Sequence, residues 1–98
     1  MKTSMIVRPE AERDIDDAYI WYEENRAGLG AAFLLCVDEG LAKIQRHPEM
    51  YPVVHKNIRR ILIRRFPYGI FYLRDQTSIV VLSVSHAHRD PQTWQSRG

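Results

Sequence analysis

The sequence predicts an α+β fold, β-α-α-β-β-β, in which an N-terminal helical hairpin packs on one face of a mostly antiparallel sheet. Two amphipathic segments lie between residues 9 and 45, and three short runs of β-branched and aromatic residues lie between residues 59 and 86. The breaks between those runs, at Pro67 and at residues 75–77, are too short for parallel crossovers. The runs therefore form a meander, and its face is the only large apolar surface available to the helices.

The N-terminal elements start with a strand candidate at residues 4–8, after which Pro9 begins a helix. The apolar stripe of this helix consists of Ala11, Ile15, Ala18, Tyr19 and Tyr22. Trp21 falls off the stripe, so it either covers the helix flank, which is the commoner fate of an aromatic side chain, or faces a partner. Gly28 and Gly30 then break the helix.

The second helix is expected from about Ala31 to Gln45, ending before Pro48. Cys36 falls in its middle among apolar neighbours, which predicts a buried free thiol. Pro48 and Pro52 predict a stiff, irregular connection to the sheet. Residues 79–82 are apolar on both faces, so the last strand should be central, with the first strand near it and the arginine-rich strand towards an edge.

Length and composition predict a single domain over residues 1–98. A chain this short leaves little room for an enclosed cavity, so a functional site should be an open face. The one cysteine excludes an internal disulfide, and we expect no membrane span, no leader peptide and a cytoplasmic location. The four histidines are scattered, so no metal site and no cofactor are predicted.

Charge is segregated along the chain. Seven acidic residues lie in residues 10–24, whereas residues 55–74 contain six lysines or arginines and no acid. In period-2 geometry Arg60 and Arg64 share one face of a strand and Arg65 lies on the other. The pattern predicts a cationic pair, Arg60 with Arg64, that faces an anionic partner; the alternative is that these arginines merely discourage edge-to-edge strand pairing.

Several motifs are more specific than these patterns. They are Pro9-Glu10-Ala11 with Asp14-Ile15, Pro48 with Tyr51-Pro52, Arg59-Arg60, Phe66-Pro67-Tyr68 with Ile70-Phe71-Tyr72, and His86-Ala87-His88-Arg89-Asp90-Pro91 with Trp94. From Ile6 to Trp94 the chain resembles the RelE/ParE toxin superfamily of type II toxin–antitoxin modules, and its ParE branch most of all.

The resemblance implies a ParE-like toxin that inhibits DNA gyrase by protein–protein contact. It also implies a ParD-like antitoxin whose C-terminal segment wraps the toxin in a hetero-oligomer. The residues expected to bind antitoxin or target are Arg59, Arg60, Arg64, Arg65, Tyr72, His86, Arg89 and Trp94. In this interpretation the acids of the antitoxin pair with the sheet arginines. Trp94 has a structural alternative, which is to fold back and cap the sheet.

The alternative within the superfamily is a RelE-like, ribosome-dependent mRNA endonuclease that needs no metal. Its catalytic candidates are Arg60, Arg64, His86, His88 and Arg89, because RNA cleavage needs an acid, a base and cations. Superfamily nucleases tend to carry a carboxylate or lysine on the sheet face and a C-terminal tyrosine. Here no acid precedes Asp75 in the meander and no tyrosine follows Tyr72, so the enzymatic reading is disfavoured.

Two further interpretations stay open. His86 has a structural alternative, which is the commoner one: a strand-end histidine that bonds a neighbouring backbone group or Asp90. A plain nucleic-acid-binding module would need exposed aromatics beside the arginines, for which Phe71 and Tyr72 are the candidates.

Overall fold

Two long helices pack on one face of a five-stranded sheet in the computed structural model, which describes residues 4–88 and 91–98. The elements in chain order are β1 (Ser4–Val7), α1 (Pro9–Asn25), α2 (Leu29–Arg46), β2 (Val53–His55), β3 (Ile58–Leu62), β4 (Tyr68–Arg74), β5 (Ser78–His86) and α3 (Gln92–Gln95). The strand order is β1-β5-β4-β3-β2, with β1 parallel to β5 and every other pair antiparallel. The α+β prediction is confirmed, and β5 lies inside the sheet with β1 near it, as expected.

The connection between α2 and β3 differs from the prediction. Val53–His55 forms a short edge strand against β3, where the two prolines predicted irregular chain. Pro48 and Pro52 both precede this strand, so neither removes one of its N–H donors. The Pro52 carbonyl accepts a hydrogen bond from the Arg60 N–H at 3.1 Å, which extends the pairing to the start of β2.

The second helix begins at Leu29, two residues earlier than predicted. The Glu23 carboxylate of α1 accepts hydrogen bonds from the N–H groups of Gly28 and Gly30, both at 3.0 Å, and so satisfies donors at the start of α2. Gly30 also allows α1 and α2 to approach, because a Cβ there would lie 2.8 Å from the Tyr19 carbonyl oxygen. The helices consequently turn back on each other within a few residues.

The main core lies between the helices and the sheet. Its fully buried members include Phe33 and Ile44 from α2 and Ile70 and Tyr72 from β4. Cys36 is buried within it as a free thiol, as predicted. This core fixes which face of each strand points towards the helices.

A second, smaller core lies on the opposite face of the sheet. The Trp94 ring stacks on Phe71 with centroids 4.3 Å apart, and Ile58 and Leu82 complete the cluster. The structural alternative for Trp94 is therefore confirmed: it caps the sheet, with 7% of its surface exposed. We refer to this side as the Trp94 face.

The Asp14 carboxylate in α1 contacts both β5 and the C-terminal segment, at a level of the sheet beyond the end of β1. Its Oδ2 accepts hydrogen bonds from the Val84 N–H and the Ser83 hydroxyl, both at 3.1 Å. The Arg97 guanidinium donates to the same oxygen at 2.6 Å and to the Leu82 carbonyl at 3.1 Å. One carboxylate thus ties the first helix to the central strand and to the C-terminal segment.

Candidate functional site

The predicted cationic pair of Arg60 and Arg64 does not form. Strand β3 ends at Leu62, and the backbone then turns, with Arg65 at a φ of +74°. Strand alternation therefore stops before it reaches Arg64, whose Nε lies 3.2 Å from Oε1 of Glu39 in α2. The hydrogen bond from Arg64 holds the pKa of Glu39 below its usual range.

Arg59 is also engaged inside the molecule. Its Nη1 donates to the carbonyl oxygens of Glu49 and Tyr51, at 3.1 and 2.6 Å. Arg74, at the end of β4, pairs with the Glu49 carboxylate at 3.0 Å. These two arginines secure the connection between α2 and β2.

Arg60 lies on the Trp94 face, opposite Phe71 in the pairing of β3 with β4. A Cβ on Gly69 would lie 3.1 Å from its Cγ and Cδ, so the stem of Arg60 occupies the space above that glycine. The Nε of Arg60 is buried and has no hydrogen-bond acceptor among the described residues. Beside it, Leu62 leaves 57% of its surface exposed. We call Arg60, Leu62 and Gly69 the Arg60 surface.

Arg65 is exposed and its guanidinium carbon lies 5.6 Å from the centroid of the Phe66 ring. No carboxylate pairs with it in the part of the chain that the structure describes. Among Arg59, Arg60, Arg64 and Arg65, only Arg64 has a carboxylate partner in the part of the chain that the structure describes. Arg59 is held by carbonyl oxygens, so Arg60 and Arg65 are the two whose guanidinium groups are left for a partner.

Tyr72 and Trp94 both lie in cores. The Tyr72 hydroxyl donates to the Pro48 carbonyl at 2.7 Å, and burial raises the pKa of Tyr72 to about 12. Phe71 is fully buried beneath Trp94. The aromatics that sequence reasoning offered for base stacking are thus enclosed, whereas the exposed tryptophan is Trp21.

His86 ends β5 on the helix-covered face, opposite Tyr68, and their ring centroids are 5.7 Å apart. Its Nδ1 accepts a hydrogen bond from the His88 backbone N–H at 3.3 Å, which matches the structural interpretation of this histidine. Arg60 lies on the other face of the same sheet, so these two nuclease candidates are not brought together. Arg89 and Asp90 lie outside the described residues.

A groove that the sequence analysis did not predict runs between α1 and the open end of the β4–β5 hairpin, where β4 begins and β5 ends. It consists of two adjoining hollows of about 320 and 350 Å³, and both are lined by Trp21, Tyr68 and His86. Trp21 is 58% exposed, and Asp17 lines one end. The position of Trp21 off the apolar stripe was the available indication, since it allowed exposure to a partner. We call this the Trp21 groove.

The comparisons with known proteins decide the family. The sequence model for the ParE toxin of the type II toxin–antitoxin system parDE matches residues 5–91. This chain is a member of the ParE toxin family. No curated relative shows significant sequence similarity to it.

A solved structure agrees with the fold of this ParE toxin. It is described as a chromosomal ParDE toxin–antitoxin system from P. aeruginosa, and it matches with a TM-score of 0.80 at 15% identity. The match covers 89% of this chain and 98% of that one. At such low identity the likeness establishes the shared architecture, and the family membership rests on the sequence model.

Residues 4–88 and 91–98 of this ParE toxin contain neither a metal-binding cluster nor a membrane-spanning helix. No group of three or more His, Cys, Asp or Glu side chains in those ranges is placed to hold a metal ion. No helix in them is long and apolar enough to cross a membrane.

Proposed function

We propose that this ParE toxin inhibits DNA gyrase in the cytoplasm by protein–protein contact, and that a ParD-like antitoxin neutralises it within a hetero-oligomer. The observation that carries the proposal is the family match over residues 5–91. The parDE system named by that match contains an antitoxin as well as a toxin. The surface chemistry then favours contact over catalysis.

Catalysis of RNA cleavage needs a base, an acid and cations within hydrogen-bonding reach of one phosphate. Arg60 and His86 lie on opposite faces of the sheet, and Arg64 is paired with Glu39. A single phosphate cannot contact groups on both faces of a sheet. This separation supports an inhibitor that binds its target over a nuclease that cuts mRNA.

The Arg60 surface indicates what the antitoxin offers. Arg60 is partly exposed and makes no ion pair among the described residues, so a carboxylate from a partner would give its guanidinium a charge-assisted bond. The neighbouring Leu62 is exposed, so an apolar side chain of the same partner gains by covering it. The antitoxin segment should therefore carry an acidic residue next to an apolar one.

Two assays on purified protein test the target. Supercoiling by DNA gyrase is measured with linear DNA as the readout of trapped breaks, and mRNA cleavage is measured in a translating extract. We expect inhibited supercoiling or linear DNA, with intact mRNA. His86→Ala should not lower gyrase inhibition by orders of magnitude, because only an enzyme that uses His86 in its chemistry loses that much. Cleaved mRNA with normal supercoiling would overturn the proposal, and an orders-of-magnitude loss of cleavage in His86→Ala would identify an enzyme.

The antitoxin contact is tested by charge reversal. Arg60→Glu should weaken antitoxin binding by well over tenfold, because removing one partner of a desolvated charge pair costs about 2–5 kcal/mol. Arg64→Glu is the matched comparison, and a smaller loss is expected since Glu39 already pairs with that arginine. Calorimetric titration with the antitoxin measures both. Equal affinity of Arg60→Glu and the unchanged toxin would remove the Arg60 surface from the interface.

A further inference from the structure

The Trp21 groove combines aromatic rings with a negative environment. Its lining includes the rings of Trp21, Tyr68 and His86, together with the carboxylates of Asp14 and Asp17. Asp14 is already bound by Arg97, whereas Asp17 makes no ion pair among the described residues. Lysine and arginine are absent from the lining within that part of the chain.

The first helix places a second acid, Glu24, beside Trp21 but outside the lining of the two hollows, and Arg13 lies one turn before Asp17 on the same stripe. Residues 17, 21 and 24 are spaced by four and three positions, so Asp17 and Glu24 flank Trp21 on one stripe of α1. Both acids are exposed. Trp21 meets Tyr22 edge-on with centroids 5.1 Å apart, which leaves 58% of its surface open to solvent.

We infer that the Trp21 groove binds a cationic side chain, an arginine or lysine, carried by an exposed segment of a partner protein. A cation is attracted to the face of an indole ring and gains further from a nearby carboxylate. Nucleic acid is the wrong occupant, because base-stacking sites need positive charge along the phosphate backbone and the described lining of this groove carries carboxylates instead. The Arg60 surface would bind acidic side chains of a partner on one face of the sheet, and the Trp21 groove would bind basic side chains on the other.

This inference goes beyond gyrase inhibition, and its test requires neither gyrase nor antitoxin. The probe is a dye-labelled peptide, Gly-Arg-Gly-Arg-Gly with blocked termini, whose binding to the full chain is followed by anisotropy. Matched peptides replace arginine with citrulline, which keeps the shape and removes the charge, or with glutamate. Indole N–H resonances in NMR spectra place the site, since Trp21 is exposed and Trp94 is buried.

The arginine peptide should bind and shift the Trp21 indole resonance, whereas the citrulline and glutamate peptides should not. Asp17→Asn should weaken binding roughly fivefold, and Trp21→Leu about tenfold. Asp16→Asn is the control, because Asp16 is an exposed acid on the same helix that does not line the groove. Circular dichroism verifies that each variant is folded.

Three results would overturn the inference. Equal binding of the citrulline peptide would show that charge is not recognised. Equal losses in Asp16→Asn and Asp17→Asn would show attraction to the helix as a whole. A mononucleotide that shifts the Trp21 resonance more than the arginine peptide does would show a base-stacking site.

Discussion

The ion pair between Asp14 and Arg97 should contribute more to stability than any surface pair among residues 4–88 and 91–98. Only 19% and 21% of the two side chains are exposed, and Nη1 of Arg97 lies 2.6 Å from Oδ2 of Asp14. Breaking a fully buried pair costs about 3–5 kcal/mol, whereas exposed pairs are worth about 0–1 kcal/mol. The intermediate burial of this pair places the expected loss for Arg97→Met at about 2–3 kcal/mol.

The loss follows from what Arg97→Met leaves behind. Asp14 would keep its bonds from the Ser83 hydroxyl and the Val84 N–H but lose its counter-charge, and the Leu82 carbonyl would lose a donor. For a domain of this size, 1 kcal/mol corresponds to about 4–8 °C in Tm, so a fall of roughly 10–20 °C is expected. Urea unfolding measures the free energy directly.

A double-mutant cycle with Asp14→Asn, Arg97→Met and both together isolates the coupling of the pair. We expect a coupling energy of about 2 kcal/mol that changes little between low and high salt, because partly buried charges are poorly screened. The matched cycle on Glu39 and Arg64 should give a far smaller coupling that salt abolishes, since 64% of the Arg64 side chain is exposed. Equal coupling energies in the two cycles would refute the reasoning.

Two further substitutions test particular contacts. The pKa of Tyr72, about 12 instead of 10, means that the stabilisation from its neutral hydroxyl is complete below pH 10 and is lost as pH rises through 12. The stability of the unchanged protein relative to Tyr72→Phe, measured by urea unfolding, should fall by roughly 2–3 kcal/mol over that interval, and a constant difference would contradict the assignment. Gly30→Ala should lower stability by about 1–3 kcal/mol, since its Cβ would lie 2.8 Å from the Tyr19 carbonyl oxygen. Gly28→Ala is the control, because a Cβ at Gly28 would meet no neighbouring atom and the only cost is the strain of a non-glycine residue at a φ of +88°. A larger loss of stability in Gly28→Ala than in Gly30→Ala would contradict the crowding at Gly30.

The candidate sites show how far strand periodicity reaches. Alternation correctly separated Arg60 from Ile61, because both lie inside a strand whose side chains must alternate. It failed for Arg64, since the strand had ended two residues earlier and a turn carried that side chain to α2. Periodicity describes a segment only while its backbone stays regular.

The exposure of Trp21 could not be derived from its helix alone. The apolar stripe of α1 located the face that packs on the sheet, and it left Trp21 between core and solvent. The exposure of Trp21 depends on the position of the open end of the β4–β5 hairpin, where Tyr68 and His86 form the other wall of the groove. That position follows from the pairing of strands that lie more than 40 residues away in the sequence.

The sequence by itself determined the α+β class, the helical hairpin, the meander, the buried cysteine and the family. Each of these depends on local periodicity, on turn residues or on motifs formed by residues that are close together in the sequence. Tertiary structure alone decided which arginines are neutralised, which tryptophan is open and that Asp14 meets Arg97, 83 positions away. The reason is physical: ion pairing and exposure depend on which surfaces the packed elements bring within a few ångströms, and a linear pattern carries no such distances.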